Sequence, residues 1–418
     1  MKYRISSIVS FTSQHKKIIE NYFFMTALQA INSLFGILIY PFVIRKLGAE
    51  SYGLYVFSMS LVGYFTSLIS FGFNLPATKL IAQNQDSIEV KSKIMSGVLT
   101  AKFYITLLSS FILAVLIISI PSLNKHWLIY FLSSFLMLSE ILFPTWFFQG
   151  IQKMKIITNL QVAFRFMTLP LIYFLIKTPD DCWIYALIMS STSILVGVSA
   201  TIILRTKENI IFKWQSFKEL KPLMHESLPF FFTSIAESLK EQSANLIIGI
   251  FFGMRDVAIY DLANKIIFIP RVITSSINGA IFPQIAKKHQ PQIVKKIIRY
   301  EYFLSFFIIA LIILLGKWVI LFLGGNMMLD AYPISIIMSI TICVWLAVGC
   351  YIYFIFIPLK KYYLVTKNQI VALLSFFAFC FIGLMITNHI IVLAIALSAS
   401  GVTEIFYCRY MIKKHHLL

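Results

Sequence analysis

Charged side chains occur inside stretches of this sequence that are otherwise apolar, where they could bind an anion or exchange protons. The six basic residues in such stretches are Lys102, Arg165, Lys240, Lys265, Arg271 and Lys317. The five acidic residues are Glu140, Glu237, Glu241, Asp261 and Glu404. A charge that faces lipid at the centre of a bilayer costs about 2.5–3.5 kcal/mol. We therefore expect these side chains to face one another or a water-filled cavity.

Helical spacing places many of these residues on shared polar faces. Residues three and four apart lie side by side on a helix, and polar residues show that spacing in four stretches. The first stretch contains Asn32, and the second contains Gln161, Arg165 and Thr168. The third contains Glu237, Lys240, Glu241 and Asn245, and the fourth contains Asp261, Asn264, Lys265, Arg271 and Asn278. These stripes predict a polar lumen.

The residue types in the stripes suit an anionic ligand with proton exchange beside it. Arginine and lysine bind phosphate well in a low-dielectric cavity, so the candidates for substrate binding are Arg165, Lys240, Lys265 and Arg271. The carboxylates that could couple transport to an ion gradient are Glu140, Glu237, Glu241 and Asp261. Polar lumen positions are Asn32, Asn245, Asn264 and Asn278.

The competing interpretation is that the same charges form structural ion pairs that join helices. Spacing allows the pairs Glu237–Lys240, Asp261–Lys265 and Glu140–Arg165. Lys102 and Lys317 lie nearer the ends of their stretches and could extend their amines to the membrane surface.

The elements that carry these residues are long apolar helices. The chain has 418 residues, of which 59% are hydrophobic and 13% charged, which excludes a soluble enzyme, a disordered chain and a coiled coil. About 20 apolar residues cross a bilayer. Twelve runs qualify: 20–44, 52–75, 97–120, 127–150, 156–177, 182–204, 228–252, 257–283, 300–323, 331–357, 368–387 and 389–408.

The distribution of basic residues gives the orientation. The net charge of +19 would suggest nucleic acid in a soluble protein. Here 25 of the 36 lysines and arginines lie in alternate loops on one side, and five lie on the other. Basic loops stay in the cytoplasm, so both termini are predicted to be cytoplasmic and nucleic acid is not an expected partner. The scattered cysteines and histidines show no metal-ligand spacing, so we expect no metal or cofactor.

The chain divides into two halves of six predicted spans each. The pattern Leu47-Gly48 followed by Gly53-Leu54-Tyr55 recurs as Phe252-Gly253 followed by Ala258-Ile259-Tyr260, at an offset of 205 residues. Two halves that enter from the same side imply a pseudo-two-fold axis along the membrane normal, one of the usual plans of secondary transporters. The predicted units are 1–204, a cytoplasmic linker at 205–227 that is expected to form an amphipathic helix, and 228–418.

Several segments together resemble a known family, the Wzx-type O-antigen flippases in the polysaccharide-export branch of the multidrug/oligosaccharidyl-lipid/polysaccharide exporters. They are Pro41–Gly48 with Tyr52-Gly53, Phe71–Asn74 leading to Ala82, Pro144–Gly150, and Ile248–Tyr260 continuing to Lys265. The resemblance implies two six-helix bundles around a V-shaped central lumen. By position, Arg45 and Lys79 match basic residues of the family and would help to bind the substrate.

The resemblance further implies a function and its setting. It implies a non-enzymatic flippase that moves undecaprenyl-diphosphate-linked O-antigen units between leaflets of a bacterial inner membrane by alternating access. An antiported H+ or Na+ would drive the cycle, and a polymerase and a chain-length regulator of the same pathway are possible partners. The alternatives are an O-antigen polymerase or membrane glycosyltransferase, a cation-coupled drug exporter of the same superfamily, and a scaffold without transport.

Overall fold

The computed structural model describes residues 2–287, 291–359, 361–415 and 417, and it describes no side chains for residues 2–19, 21, 22, 33, 269, 272–287, 291 and 293. Across these ranges the chain is helical and contains no strand. The α-helices are α1 Lys2–Ser70, α2 Asn74–Gln83, α3 Ile88–Ser119, α4 Pro121–Asn124, α5 Trp127–Leu142, α6 Thr145–Gly150, α7 Met154–Leu175, α8 Cys182–Lys207, α9 Phe217–Phe251, α10 Met254–Lys287, α11 Pro291–Gly324, α12 Ala331–Tyr351, α13 Tyr362–Ile386 and α14 Ile391–Lys414.

Nine stretches among the described residues are long and apolar enough to cross a membrane. The first, Phe23–Gln83, is 61 residues long and contains the first two predicted spans. Helices α9 and α10, which carry most of the polar stripes, are not among the nine. The all-helical class is confirmed, whereas the number of twelve spans and their arrangement in two bundles stay predictions.

Contacts divide the chain into two compact units. Unit 1 comprises Met1–Phe35, Phe65–Leu175 and Trp183–Phe231, and unit 2 comprises Gly36–Tyr64, Ile176–Cys182 and Phe232–Leu418. The predicted boundaries at 204 and 228 are not tested by this division. The stretch Gly36–Tyr64 belongs to the unit that holds most of the second half of the chain.

The core of unit 1 forms around two short helices that the sequence motifs encode. Trp146 and Phe147 of α6 are buried together with residues of α2. A Cβ atom on Gly150 would lie 2.7 Å from a methyl carbon of Ile81 on α2, so only glycine allows this approach. The Thr78 hydroxyl donates to the Trp146 carbonyl at 3.1 Å. The motif at Pro144–Gly150 therefore serves packing in this unit.

The core of unit 2 lies where α11, α12, α13 and α14 meet a π-helical turn at Ile352–Phe356. Phe354, Ile355 and Phe356 of this turn are buried. Apolar burial of a phenylalanine side chain contributes about 1.5–3 kcal/mol, so this turn is a major contact of the C-terminal helices.

Two glycines end helices at equivalent places in the sequence repeat. Gly48 has φ +74° and interrupts α1, and Gly253 has φ +106° and separates α9 from α10. These values lie in the left-handed region that favours glycine. A Cβ atom on Gly53 would lie 1.7 Å from the Met254 carbonyl oxygen, so the two repeated segments pack backbone to backbone within unit 2. The sequence pattern that recurs at an offset of 205 residues therefore includes a glycine with positive φ in both copies.

The connection between α8 and α9 differs from the expected amphipathic helix. Residues 209–216 are not helical, and Phe217 onward is the start of α9 itself. The Lys213 N–H donates to the Ser96 hydroxyl of α3 at 3.0 Å, and the Gln215 side chain donates to the Lys93 carbonyl at 2.7 Å. Because side chains of α3 satisfy linker backbone groups, this segment does not need helical hydrogen bonds.

The start of α9 is capped by its own first turn. The Glu219 carboxylate accepts hydrogen bonds from the Ser216 N–H at 2.8 Å and from the Ser216 hydroxyl at 2.9 Å. These hydrogen bonds stabilise the charged carboxylate and lower the pKa of Glu219.

Candidate functional site

The start of α10 carries an ion pair enclosed by two tyrosines of α1. Lys265 Nζ contacts Asp261 Oδ2 on the same helix and donates to the Tyr52 hydroxyl at 2.9 Å. The Tyr52 hydroxyl in turn donates to Asp261 Oδ2 at 2.8 Å. Lys265 also lies 5.2 Å from the ring centroid of Tyr40, within the range of cation–π attraction. The pair Asp261–Lys265 expected from the spacing is confirmed.

A second ion pair lies further along α10 and is more accessible. Both terminal nitrogens of Arg271 lie 3.3–3.4 Å from Glu241 Oε1 on α9. The guanidinium lies 4.9 Å from the ring centroid of Trp345 on α12. The exposed fraction is 28% for the Arg271 side chain and 45% for Glu241. Both partners are therefore only partly enclosed by protein, which leaves room for an anion to approach the guanidinium.

A third ion pair of unit 2 is buried and forms part of a network. Lys240 Nζ of α9 lies 2.7 Å from Glu404 Oε1 of α14, with side-chain exposures of 15% and 6%. Glu404 Oε2 accepts from the Asn368 amide at 3.3 Å, and the Cys408 thiol donates to the Asn368 oxygen at 3.4 Å. The expected pairing of Lys240 with Glu237 is therefore wrong, because the lysine binds Glu404 instead.

Unit 1 contains a buried ion pair between α3 and α5. Lys102 Nζ lies 2.7 Å from Glu140 Oε1 and 3.0 Å from the Glu140 carbonyl oxygen. The Lys102 side chain is 2% exposed and that of Glu140 is 31% exposed. The expectation that Lys102 reaches toward the membrane surface is wrong, and so is the pairing of Glu140 with Arg165. The sequence could not reveal this pair because 38 residues separate its members.

Arg165 of α7 lines a cavity of about 140 Å³ in unit 1. Its guanidinium lies 4.7 Å from the ring centroid of Phe35. Gln161 and Thr168 line the same cavity, as the helical spacing predicted. Sequence reasoning missed the other polar walls, Ser139 of α5 and Thr192 and Ser193 of α8, because no charged residue marks these positions and their helices are distant in sequence from Arg165.

The remaining predicted site residues lie apart from these clusters. Arg45 is exposed and donates to the Phe322 carbonyl of α11 at 2.8 Å. Lys79 and Asn264 are exposed. Asn245 donates to the Ser60 hydroxyl at 2.9 Å. Its own amide oxygen and that of Asn32 are buried, and neither has a hydrogen-bond partner among the described residues. The side chain of Asn278 lies outside the described residues.

The ion pairs of unit 2 are arranged so that an anion can exchange with a carboxylate. In unit 2, each of the cations Lys240, Lys265 and Arg271 has a carboxylate partner. An incoming anion can bind such a cation by displacing the carboxylate, which then becomes able to take up a proton. No group of three or more metal-ligating side chains occurs in the part of the chain that the structure describes.

Comparison with known proteins finds a matching family model and named relatives. The family model described as "Polysaccharide biosynthesis protein" matches residues 18–289. A protein named "Putative O-antigen transporter" from Escherichia coli (strain K12) is 27% identical over 267 residues, which is 64% of each chain. A protein of the same name from Shigella dysenteriae is 24% identical over 271 residues, which is 64% of this chain and 67% of that protein. The match thus spans less than two thirds of the Escherichia coli protein.

Solved structures with the same fold are membrane transporters. An inward-facing multidrug resistance MATE family transporter of the MOP superfamily aligns with a TM-score of 0.70 at 14% identity, covering 93% of this chain and 95% of that one. An outward-facing transporter of the same description aligns with a TM-score of 0.54 at 13% identity, covering 96% of each chain. Identities this low show a common fold only. The chain is therefore a multi-pass membrane protein with a MATE-like helical fold.

Proposed function

Because the chain belongs to the polysaccharide biosynthesis protein family, we propose that it is a flippase for lipid-linked O-antigen repeat units. The substrate is an oligosaccharide on undecaprenyl diphosphate, which the protein moves from the cytoplasmic to the periplasmic leaflet of a bacterial inner membrane by alternating access. Both termini are cytoplasmic in this proposal. A polymerase and a chain-length regulator of the same pathway would use the transported units.

The observation that carries the proposal is the match to proteins named as O-antigen transporters, together with a MATE-like fold. The names of these relatives describe transport and not catalysis, which favours a flippase over an O-antigen polymerase or a glycosyltransferase. The solved structures of similar fold are multidrug transporters, but they are only 12–14% identical to this chain. Such low identity supports a common fold and does not support a common substrate.

The accessible ion pair Arg271–Glu241 gives the proposal a binding step. A planar guanidinium binds phosphate oxygens through two parallel hydrogen bonds, so the diphosphate of the substrate would replace Glu241 at Arg271. The Trp345 ring packs against the flat face of the Arg271 guanidinium. The phosphate would bind along the edge of the guanidinium, where Glu241 lies. Lys265 has a 26% exposed side chain and would supply a second cation.

The same exchange gives the proposal a coupling step. Once the diphosphate holds Arg271, the Glu241 carboxylate has lost its cation partner and becomes available to the coupling ion. Loss of that ion would restore the ion pair and expel the diphosphate. Moving one charge through about 100 mV supplies about 2.3 kcal/mol, so a proton or sodium gradient could drive the cycle. Asp261, Glu237 and Glu140 are further candidates for this role.

The proposal is tested in a strain that lacks the protein. Loss of transport predicts loss of surface polysaccharide and accumulation of single lipid-linked repeat units in the cytoplasmic leaflet. The leaflet is determined by adding a membrane-impermeant glycosidase to intact spheroplasts and to lysed ones. Units that are cleaved in intact spheroplasts have already crossed the membrane, and that result would contradict a flippase and favour a polymerase.

A further inference from the structure

The cavity of unit 1 presents a polar surface of a particular kind. Ser139, Gln161, Arg165, Thr168, Thr192 and Ser193 line it together with apolar side chains. Its volume of about 140 Å³ is below the roughly 300–1,000 Å³ of pockets that enclose drug-sized ligands. The space therefore suits a single ring and not a whole oligosaccharide.

The hydroxyl groups around the cavity already use their protons. Thr192 donates to the Ile188 carbonyl at 2.7 Å, and Ser193 donates to the Met189 carbonyl at 3.0 Å. Thr168 donates to the Arg165 carbonyl at 2.6 Å. A hydroxyl whose proton is engaged in this way still has lone pairs that accept hydrogen bonds. These three side chains consequently face a ligand as acceptors.

Two further groups extend the same pattern. The Ser139 hydroxyl donates to the Leu136 carbonyl at 2.7 Å and so also offers acceptor lone pairs. The amide oxygen of Gln161 is buried, and it has no hydrogen-bond partner among the described residues. An unmet buried acceptor costs about 1–3 kcal/mol. A ligand that donates a hydrogen bond to Gln161 would recover that free energy.

A cavity rich in acceptors selects against two classes of ligand. Ionised phosphate oxygens only accept hydrogen bonds, so a diphosphate would meet lone pairs at most of these walls. Organic cations offer donors but would meet the fixed positive charge of Arg165. Sugar rings carry many hydroxyl donors and no charge, and they have apolar faces that suit walls such as Phe143 and Val196.

We infer that this cavity is a sugar subsite, which binds a single hydroxylated ring of the transported oligosaccharide by accepting hydrogen bonds from it. The inference rests on the proposed flippase function and assigns the sugar to the cavity of unit 1 beside Gln161.

The test compares two lipids on variants of the full-length protein in detergent. One probe is the lipid-linked repeat unit extracted from the deletion strain, and the other is undecaprenyl diphosphate without sugar. Gln161→Leu and Thr192→Val each remove a cavity acceptor at nearly constant volume. We expect each to weaken binding of the sugar-bearing lipid about threefold to tenfold, which corresponds to one hydrogen bond. Binding of undecaprenyl diphosphate stays unchanged.

Thr201→Val is the matched control on α8. The Thr201 hydroxyl donates to the Leu142 and Gly197 carbonyls at 2.9 and 3.0 Å, and Thr201 is not a cavity wall. Its substitution should leave the affinity for both lipids unchanged, which excludes a general effect of removing a threonine hydroxyl from this helix.

The outcomes separate this inference from the proposed function. If Gln161→Leu and Thr192→Val weaken the binding of both lipids equally, or change the binding of neither, the sugar subsite is overturned. The flippase proposal stands in either case. If the wild-type protein binds neither lipid, or the deletion strain accumulates no lipid-linked unit, the proposed function fails and the subsite fails with it.

Discussion

The two units of the protein hold their intramembrane charges in different ways. In unit 1, Lys102 is almost completely enclosed against Glu140, and Arg165 lines a cavity together with hydroxyl groups and the Phe35 ring. In unit 2, Arg271 and Lys265 form ion pairs with side chains that are 28% and 26% exposed. A buried pair is costly to break, whereas an accessible pair is worth at most about 1 kcal/mol. We therefore expect the pair Lys102–Glu140 to stabilise the fold and the pairs of Arg271 and Lys265 to exchange with the substrate.

Unit 2 repeats the contrast on neighbouring residues of one helix. Lys240 points to Glu404 in a buried network, and Glu241 meets the exposed guanidinium of Arg271. Helix α9 thus carries one buried ion pair and one partly exposed ion pair. We expect the exposure of an ion pair, and not the type of its charges, to separate a structural role from substrate binding.

The largest effect is expected from breaking the buried pair of unit 1. Glu140→Gln leaves the Lys102 ammonium buried without its counter-charge and should lower the free energy of unfolding by about 3 kcal/mol. Lys102→Met should cost less, because the Glu140 carboxylate that remains is 31% exposed. Thermal unfolding in detergent measures both variants. If Lys102→Met proves the more damaging substitution, the lysine is not the more strongly desolvated partner.

Transport should depend most on the accessible pair of unit 2. Arg271→Ala removes the proposed phosphate ligand, so we expect export to fall at least about tenfold at normal protein levels, which corresponds to about 1.4 kcal/mol. Its thermal stability should change by no more than about 1 kcal/mol, since the ion pair is partly exposed. Arg271→Lys retains the charge without the fork and should recover part of the export. Normal export by Arg271→Ala would show that Arg271 does not bind the substrate.

Coupling should depend on the carboxylate of the same pair. Glu241→Gln cannot gain or lose a proton, so we expect transport that no longer responds to collapse of the proton gradient, with a rate a few times lower than that of the wild type. Transport in inverted membrane vesicles with and without an uncoupler measures the response. A response as large as that of the wild type would remove Glu241 from the coupling mechanism.

The smallest effect is expected at an ion pair on the surface. Arg255 lies 3.4 Å from Asp330, and the two side chains are 58% and 68% exposed. Arg255→Ala should change stability by about 0.5 kcal/mol or less and leave export unchanged. This variant is a control for loss of an arginine from the same helix as Arg271. A large loss of export would mean that the response to such substitutions is not specific to the accessible site.

The sequence predicted what depends on local geometry. The pair Asp261–Lys265 follows from a spacing of four residues on one helix, and the shared face of Gln161, Arg165 and Thr168 follows from the same rule. The recurrence of Gly48 and Gly253 at an offset of 205 residues corresponds to two backbone positions with positive φ.

The sequence could not predict what depends on how distant helices pack. Lys240 and Glu404 are 164 residues apart, and Lys102 has polar neighbours in sequence that do not identify Glu140 as its partner. Which carboxylate meets which lysine depends on the rotation and depth of each helix, and helical spacing fixes neither. The walls of the unit 1 cavity were hidden for the same reason, because Ser139 and Thr192 become a site only when α5, α7 and α8 come together.

The central claim is that the protein moves lipid-linked oligosaccharide across a bilayer with Arg271 as a substrate ligand. The most direct measurement is translocation of lipid-linked repeat units in vesicles that contain the purified protein, scored by the fraction that becomes accessible to an impermeant glycosidase. We expect the wild type and Arg255→Ala to translocate the lipid-linked units and Arg271→Ala to lose this translocation. Translocation by the wild type no faster than in protein-free vesicles, or equal translocation by Arg271→Ala, would contradict it.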